Sequence, residues 1–175
     1  MIKKIALASM FVGASLLAGL IENGIEQAKM GNNIQALRLF EKACSKEKMP
    51  RGCYYSGQAY EKGTIVKKDI TKAFSFYDKS CELGFTDGCM TIGSSYFYGR
   101  NVKKDFNKAR EMFITSCEQG SPTGCFLLGN MYDLGKGIKR DLHEAKKRYT
   151  QACEYGSKMG CKYKKELEYT LKEEK

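Results

Sequence analysis

Eight cysteines at regular spacing are the most conspicuous reactive residues of this 175-residue sequence. They form four pairs whose partners are eight or nine positions apart, which are Cys44 and Cys53, Cys81 and Cys89, Cys117 and Cys125, and Cys153 and Cys161. No Cys-x-x-Cys motif occurs, and the only histidine, His143, does not stand at a cysteine position, so redox catalysis and a metal site are disfavoured. The repeated pairing predicts four structural disulfide bonds, with no cofactor or metal.

One spacing in the sequence matches a catalytic motif. Ser45 and Lys48 form a Ser-x-x-Lys, the spacing that serine β-lactamases use, but the Ser-Asp-Asn and Lys-Thr-Gly companions are absent. The motif lies in a hairpin connection between Cys44 and Pro50. Ser45 and Lys48 are therefore weak catalytic candidates, and whether the chain is an enzyme stays open.

The first residues are typical of a secretory signal peptide. Lys3 and Lys4 precede an apolar run that ends at Leu20, which is shorter than the roughly 20 residues that span a bilayer. We therefore expect a signal peptide over residues 1–19 and no stable membrane span after cleavage. The exact cleavage site is not defined by the sequence, and an uncleaved anchor is the alternative.

Charge and cysteine position together indicate a compartment and a class of partner. The formal net charge is +10, and all eight cysteines follow the leader, which favours an oxidising location, either periplasmic or secreted. A basic exported protein suggests anionic envelope components or acidic proteins as partners rather than nucleic acid. Lys67-Lys68 and Lys103-Lys104 recur at the repeat spacing, so they indicate a solvated loop of each unit.

The residues around the cysteines repeat every 36 positions, which is the signature of a repeat architecture. The recurring positions are Gly57, Gly93 and Gly129; Tyr60, Tyr96 and Tyr132; Gly63, Gly99 and Gly135; Asp69, Asp105 and Asp141; Ala73, Ala109 and Ala145; and Gly84, Gly120 and Gly156. The aspartates are predicted to cap the start of a helix and the last glycines to end it. Because glycine inside a helix costs ~1 kcal/mol relative to alanine, Gly57, Gly93 and Gly129 predict a close approach of two helices.

These signals predict an all-α fold of helical hairpins. Helices are expected near residues 21–30, 33–46, 50–62, 70–83, 86–98, 106–119, 122–134, 142–155 and 158–172. They form one domain over residues 20–175, with hairpins at 21–48, 49–84, 85–120 and 121–156 and a capping helix at 157–175. The first turn, Gly31-Asn32-Asn33, is shorter than the later loops and is similar to a tetratricopeptide turn.

One unit contains Gly93, Tyr96, Gly99, Val102, Lys104, Asp105, Ala109, Phe113, Ser116, Cys117, Glu118, Gly120, Gly124 and Cys125. This pattern resembles the Sel1-like repeat, a relative of the tetratricopeptide repeat. With paired cysteines and a leader, the chain is similar to the Helicobacter cysteine-rich protein family. The resemblance implies a right-handed α/α solenoid stapled by disulfides. It also implies export, adaptor-type binding, and the penicillin-binding or β-lactamase activity described for that family.

In tetratricopeptide-like stacks the first helix of each hairpin lines the concave face. Around the repeated glycines this helix carries residues that differ between units, which are Tyr54, Gln58, Glu61, Met90, Ser94, Phe97, Phe126, Asn130 and Asp133. We expect them to bind a peptide, a protein or an envelope component on a monomeric scaffold, with the aromatic residues either lining a groove or filling the core between repeats. The alternative function is hydrolysis of β-lactam rings.

Overall fold

The computed structural model describes residues 19–173, and every regular element in this range is an α-helix. The chain divides into two compact units, Met1–Phe85 and Thr86–Lys175. The described helices of the first unit are α1 (19–29), α2 (Asn33–Ser45), α3 (Pro50–Lys62) and α4 (Ile70–Glu82). Those of the second unit are α5 (Thr86–Tyr98), α6 (Phe106–Glu118), α7 (Pro122–Leu134), α8 (Leu142–Glu154) and α9 (Lys158–Glu173). We call the odd-numbered helices A helices and the even-numbered ones B helices.

Helix boundaries follow from the residues that the sequence places there. Asp69 accepts a hydrogen bond from the backbone N–H of Lys72 (2.9 Å), and Asp105 and Asp141 cap α6 and α8 in the same way. Ser121 caps α7 through the N–H of Gly124 (3.2 Å). These bonds satisfy N–H groups that have no partner within a helix, so the predicted N-caps are confirmed.

Three of the B helices, α4, α6 and α8, end as predicted, just before glycines with positive φ. Gly84, Gly120 and Gly156 have φ values of 86°, 85° and 95°, a conformation that glycine adopts without steric cost. The N–H of Gly84 donates to the carbonyl of Cys81 (2.9 Å) and that of Phe85 to the carbonyl of Ser80 (3.0 Å). These two hydrogen bonds close the helix, and the chain continues directly into the next A helix.

In the first unit the core lies between each A helix and its B helix. Ile21 of α1 packs with Ala36, Phe40 and Ala43 of α2, all of them buried. Further along, Tyr77 of α4 is 1% exposed and its ring lies against Tyr54 of α3. Aromatic side chains thus form part of the core inside each hairpin of this unit.

In the second unit, buried residues also join each B helix to the A helix that follows it. Ala109, Phe113 and Cys117 of α6 are buried with Leu128 and Met131 of α7, and Ala145 and Tyr149 of α8 are buried with Leu167 of α9. Helix α9 buries only Gly160 and Leu167 and carries Lys and Glu on much of its remaining surface.

The disulfide bonds join the end of a B helix to the start of the next A helix. Cys44 bonds to Cys53, Cys117 to Cys125, and Cys153 to Cys161, with Cα atoms 4.5–4.6 Å apart. Cys81 and Cys89 are also disulfide-bonded, and no cysteine in the described range is free. Each cross-link closes a short loop, which in the chain-entropy description contributes roughly 2–3 kcal/mol.

The predicted signal peptide, residues 1–19, lies outside the described residues except for its last position. Among the helices described, none has the length and apolar composition needed to cross a membrane.

The repeated glycines lie where an aromatic ring of the B helix meets the A helix. A Cβ atom at Gly57 would lie 2.7 Å from the ring of Tyr77, one at Gly93 would lie 2.6 Å from Phe113, and one at Gly129 would lie 2.6 Å from Tyr149. Real Cβ atoms do not approach other heavy atoms this closely, so the predicted close approach of two helices is confirmed.

We predict that Gly93→Ala lowers the free energy of unfolding by about 1–3 kcal/mol, because the added methyl group overpacks the contact with Phe113. Helix propensity alone would give the opposite sign, a gain of ~1 kcal/mol. Urea unfolding of the oxidised protein measures the difference. The neighbouring substitution Ser94→Ala serves as control and should stay within about 0.5 kcal/mol. A stabilised Gly93→Ala protein would contradict the proposed packing.

Candidate binding face of the A helices

The two weak catalytic candidates, Ser45 and Lys48, lie at the end of α2 and in the connection that follows it. The Ser45 hydroxyl donates to the carbonyl of Glu41 (2.7 Å), one turn back in its own helix. Lys48 is exposed in the connection after α2 and has a φ of 50°. His143 is exposed in the first turn of α8, where its backbone N–H bonds to Asp141. Over residues 19–173 no group of three potential metal ligands is brought together.

In the first unit the predicted binding residues have different surroundings. Tyr54 is partly buried between Tyr77 and Phe85, with ring centroids 5.5 and 5.3 Å away. Glu61 accepts a hydrogen bond from the hydroxyl of Tyr77 (2.6 Å). Gln58 lines a cavity of about 450 Å³ between α1, α2 and α3. Gln58 is therefore the predicted residue of this unit that borders open space.

In the second unit the predicted aromatic residues contact the core. Met90, Phe97 and Phe126 are partly buried and pack against the cluster around Phe113. The ring of Phe97 lies 5.3 Å from that of Phe106, and Phe126 lies 5.4 Å from Tyr163. Each keeps part of its surface exposed, so its role in binding stays a prediction.

Among the predicted polar residues of the second unit, two have partners within their own hairpin and one is partly exposed. The hydroxyl of Tyr149 donates to Asn130 (2.7 Å), with Asp133 at 3.3 Å. Asp133 also lies 3.8 Å from the guanidinium of Arg140. Ser94, on α5, is partly exposed. The amide and the carboxylate thus already have partners within their own hairpin, and any ligand would have to share them.

The tyrosine hydroxyls of the B helices are donors throughout the ordinary pH range. Burial raises the pKa of Tyr77 well above its usual value, and the hydrogen bond to Glu61 raises it further. Burial also raises the pKa of Tyr149, with Asp133 as the next cause. The phenols therefore stay protonated and hold the carboxylates in place.

The structure reveals a pairing that the sequence analysis missed. Sixteen residues separate Glu61 from Tyr77, Phe97 from Phe113, and Asp133 from Tyr149. A tyrosine on the B helix is matched by a carboxylate on the A helix, whereas Phe113 has no hydroxyl and is matched by Phe97. Part of the variation between repeats therefore keeps the A helix matched to the side chain of the B helix in the same hairpin. The two positions change together in the aligned repeats, and this joint change could have identified the pairs from the sequence.

We predict that Tyr77→Phe lowers the free energy of unfolding by about 1.5–3 kcal/mol, because it removes a buried hydrogen bond to a carboxylate. The double variant Glu61→Phe and Tyr77→Phe recreates the pair found in the next repeat, so it should recover most of that loss. Glu61→Phe alone is the matched control, since it leaves the buried hydroxyl without this acceptor. Urea unfolding of the four proteins gives the coupling free energy. Strictly additive losses would contradict the pairing.

Comparison with known proteins agrees with this arrangement. The Sel1 repeat matches the sequence four times, at residues 6–47, 50–85, 87–121 and 122–157. The search of curated proteins finds no match.

Solved structures include three informative relatives. A Sel1 repeat protein from Oxalobacter formigenes is 26% identical over 82% of this chain and 60% of its own, with a TM-score of 0.67. Cysteine-rich protein B of Helicobacter pylori is 31% identical over 73% of this chain and 90% of its own, with a TM-score of 0.56. A protective antigen of uropathogenic Escherichia coli with an SLR fold is 24% identical over 90% of this chain, with a TM-score of 0.74, and shows the fold alone.

This chain thus spans 60% of the Oxalobacter protein and 34% of the Escherichia coli antigen. The predicted all-α class, with disulfide-linked hairpins stacked as in a solenoid, is confirmed.

Proposed function

This chain belongs to the Sel1 repeat family, and from that premise we propose that it is an exported scaffold whose A helices bind an extended peptide segment of another protein. The observation that carries the proposal is the contrast between a fixed frame and a varied face. Glycines, caps and disulfides recur in the hairpins, whereas Gln58, Ser94 and Asn130 differ at one position of the A helices and are all partly exposed.

The chemistry of this position suits a peptide backbone. Amide and hydroxyl side chains both donate and accept hydrogen bonds, as an extended peptide does along its length. Neighbouring aromatic residues such as Tyr54 and Phe126 offer partly exposed ring surface for side chains. Recognition by a repeated frame with variable side chains is how stacked repeats adapt to their partners.

Oxidised cysteines support an extracytoplasmic location. All described cysteines are disulfide-bonded, and disulfides persist in the periplasm and outside the cell. The similar Helicobacter protein is itself described as cysteine rich. The partner would then be a peptide segment met in the cell envelope or beyond it.

Hydrolysis of β-lactams has no observation in its favour. Ser45 bonds to a backbone carbonyl of its own helix, and nothing in the described residues places Lys48 as its base. Binding is therefore the function that we propose.

We predict that peptides selected from a random display library on the oxidised full chain depend on the A helices. Gln58→Arg and Ser94→Arg should each weaken the selected peptides by tenfold or more, because a long charged side chain then occupies a partly exposed position on this face. Ser75→Arg and Glu111→Arg, exposed on B helices, are the matched controls and should leave affinity unchanged. Isothermal titration calorimetry measures the dissociation constants.

Two results would contradict the proposal. One is a library that yields no peptide with measurable affinity for the folded protein. The other is a set of peptides whose affinity falls with the B-helix variants and not with the A-helix variants, which would place binding on the B helices.

A further inference from the structure

The first hairpin differs from the others in the length of its turn. Three residues, 30–32, connect α1 to α2, whereas seven residues, 63–69, connect α3 to α4. The ring contact is nevertheless kept, since a Cβ atom at Gly24 would lie 2.5 Å from the ring of Phe40. Gly24 and Phe40 therefore correspond to Gly57 and Tyr77, with four residues removed between them. This correspondence aligns the first hairpin with the rest.

The alignment shows that a side chain present in other hairpins is reduced here to a methyl group. Four residues after the glycine the other A helices carry Glu61, Phe97 and Asp133, and α1 carries Ala28. Phe40 has no hydroxyl that needs a carboxylate, and Ala28 is too short to cover its ring. Both residues line the cavity of about 450 Å³ described above.

A second difference opens the same region toward solvent. The first residues of the other B helices are Ile70, Phe106 and Leu142, and α2 begins with Asn33. In the second unit Phe106 packs against Gly137 of the following loop, where an added Cβ would lie 2.2 Å from its side chain. The corresponding loop residue of the first unit is Ile65, which shares with Asn33 the lining of this cavity and of a second opening of about 590 Å³.

The lining has an apolar floor and a cationic rim. Ala36, Leu37 and Phe40 form buried parts of the floor, while Lys29 and Lys62 are exposed on the rim. Gln58 also lines the cavity, and no aspartate or glutamate does. A cavity of about 150 Å³ holds a benzene ring, so this volume accommodates a large apolar side chain together with adjacent backbone.

We propose that this cavity binds the C-terminal residue of a peptide, with an apolar side chain on the floor and the terminal carboxylate beside Lys29 and Lys62. The two lysines match the negative charge of a chain end, and Gln58 provides a donor and an acceptor for the last peptide group. The inference rests on the proposed peptide-binding function and makes it specific, since it names where the bound chain ends.

The experiment uses the oxidised full chain and the peptide Gly-Ser-Gly-Ser-Leu-Leu in two forms, one with a free C-terminal carboxylate and one amidated. The free acid should bind at least tenfold more tightly than the amide. Lys29→Gln with Lys62→Gln should reduce the acid to the affinity of the amide and leave the amide unchanged. Lys46→Gln with Lys67→Gln removes the same charge at exposed positions outside the cavity and should change neither.

A second variant tests the apolar part of the cavity. Ala28→Phe places a ring next to Phe40, as Phe97 lies next to Phe113 in a later hairpin, so the protein should fold and the cavity should be filled. Both forms of the peptide should then bind at least tenfold more weakly. Methyl resonances of Ala28 and Ala59 should shift on titration of the wild-type protein with the free acid.

Three outcomes overturn the proposal. They are equal affinity for acid and amide, an equal loss of both on changing the two lysines, and tighter binding of decanoate than of the peptide at the same residues. The last would assign the cavity to a fatty acid. If library peptides still bind through Ser94 in any of these cases, the cavity assignment alone fails. If neither experiment detects a bound peptide, the proposed function fails as well.

Discussion

The contact between a glycine of the A helix and an aromatic ring of the B helix is the constraint on which each hairpin depends. The ring occupies the space that a Cβ atom would take, at Gly24 with Phe40 and at Gly57, Gly93 and Gly129 with their partners. This sets the distance between the two helices and buries the largest side chains of the core. The contact is also kept in the first hairpin, where the turn is four residues shorter, so it does not depend on the length of the turn.

Disulfides and caps act on a different part of the repeat and add to this constraint. Each cross-link fixes the passage from a B helix to the next A helix. The aspartate caps fix the start of the B helix after its loop. Contacts within the hairpin and links between hairpins are therefore made by separate residues. Such a division allows one hairpin to change its turn without loss of the array.

Much of the fold could be predicted because its determinants are local and repeated. Helix limits, the aspartate caps, the positive-φ glycines and the cysteine pairs were each indicated by residue type and spacing. The binding face could not be read in the same way. Asn130 is partly exposed, but its side chain already accepts a hydrogen bond from the Tyr149 hydroxyl. Tyr149 lies 19 positions away in sequence and reaches Asn130 only after folding. The cavity beside Ala28 was missed because the shorter turn shifts the first hairpin out of the 36-residue register.

Variation among the A helices therefore has two physical origins, and only one of them concerns recognition. Glu61, Phe97 and Asp133 vary together with a ring on the B helix, and their variation keeps the core satisfied. Gln58 and Ser94 have no such counterpart in the pairing and are partly exposed. Ala28 belongs to the first set by position, but its partner Phe40 needs no acceptor, so the loss of a large side chain costs no hydrogen bond. A position that the core requires elsewhere has become available to a ligand in the one hairpin whose shortened turn also leaves it uncovered.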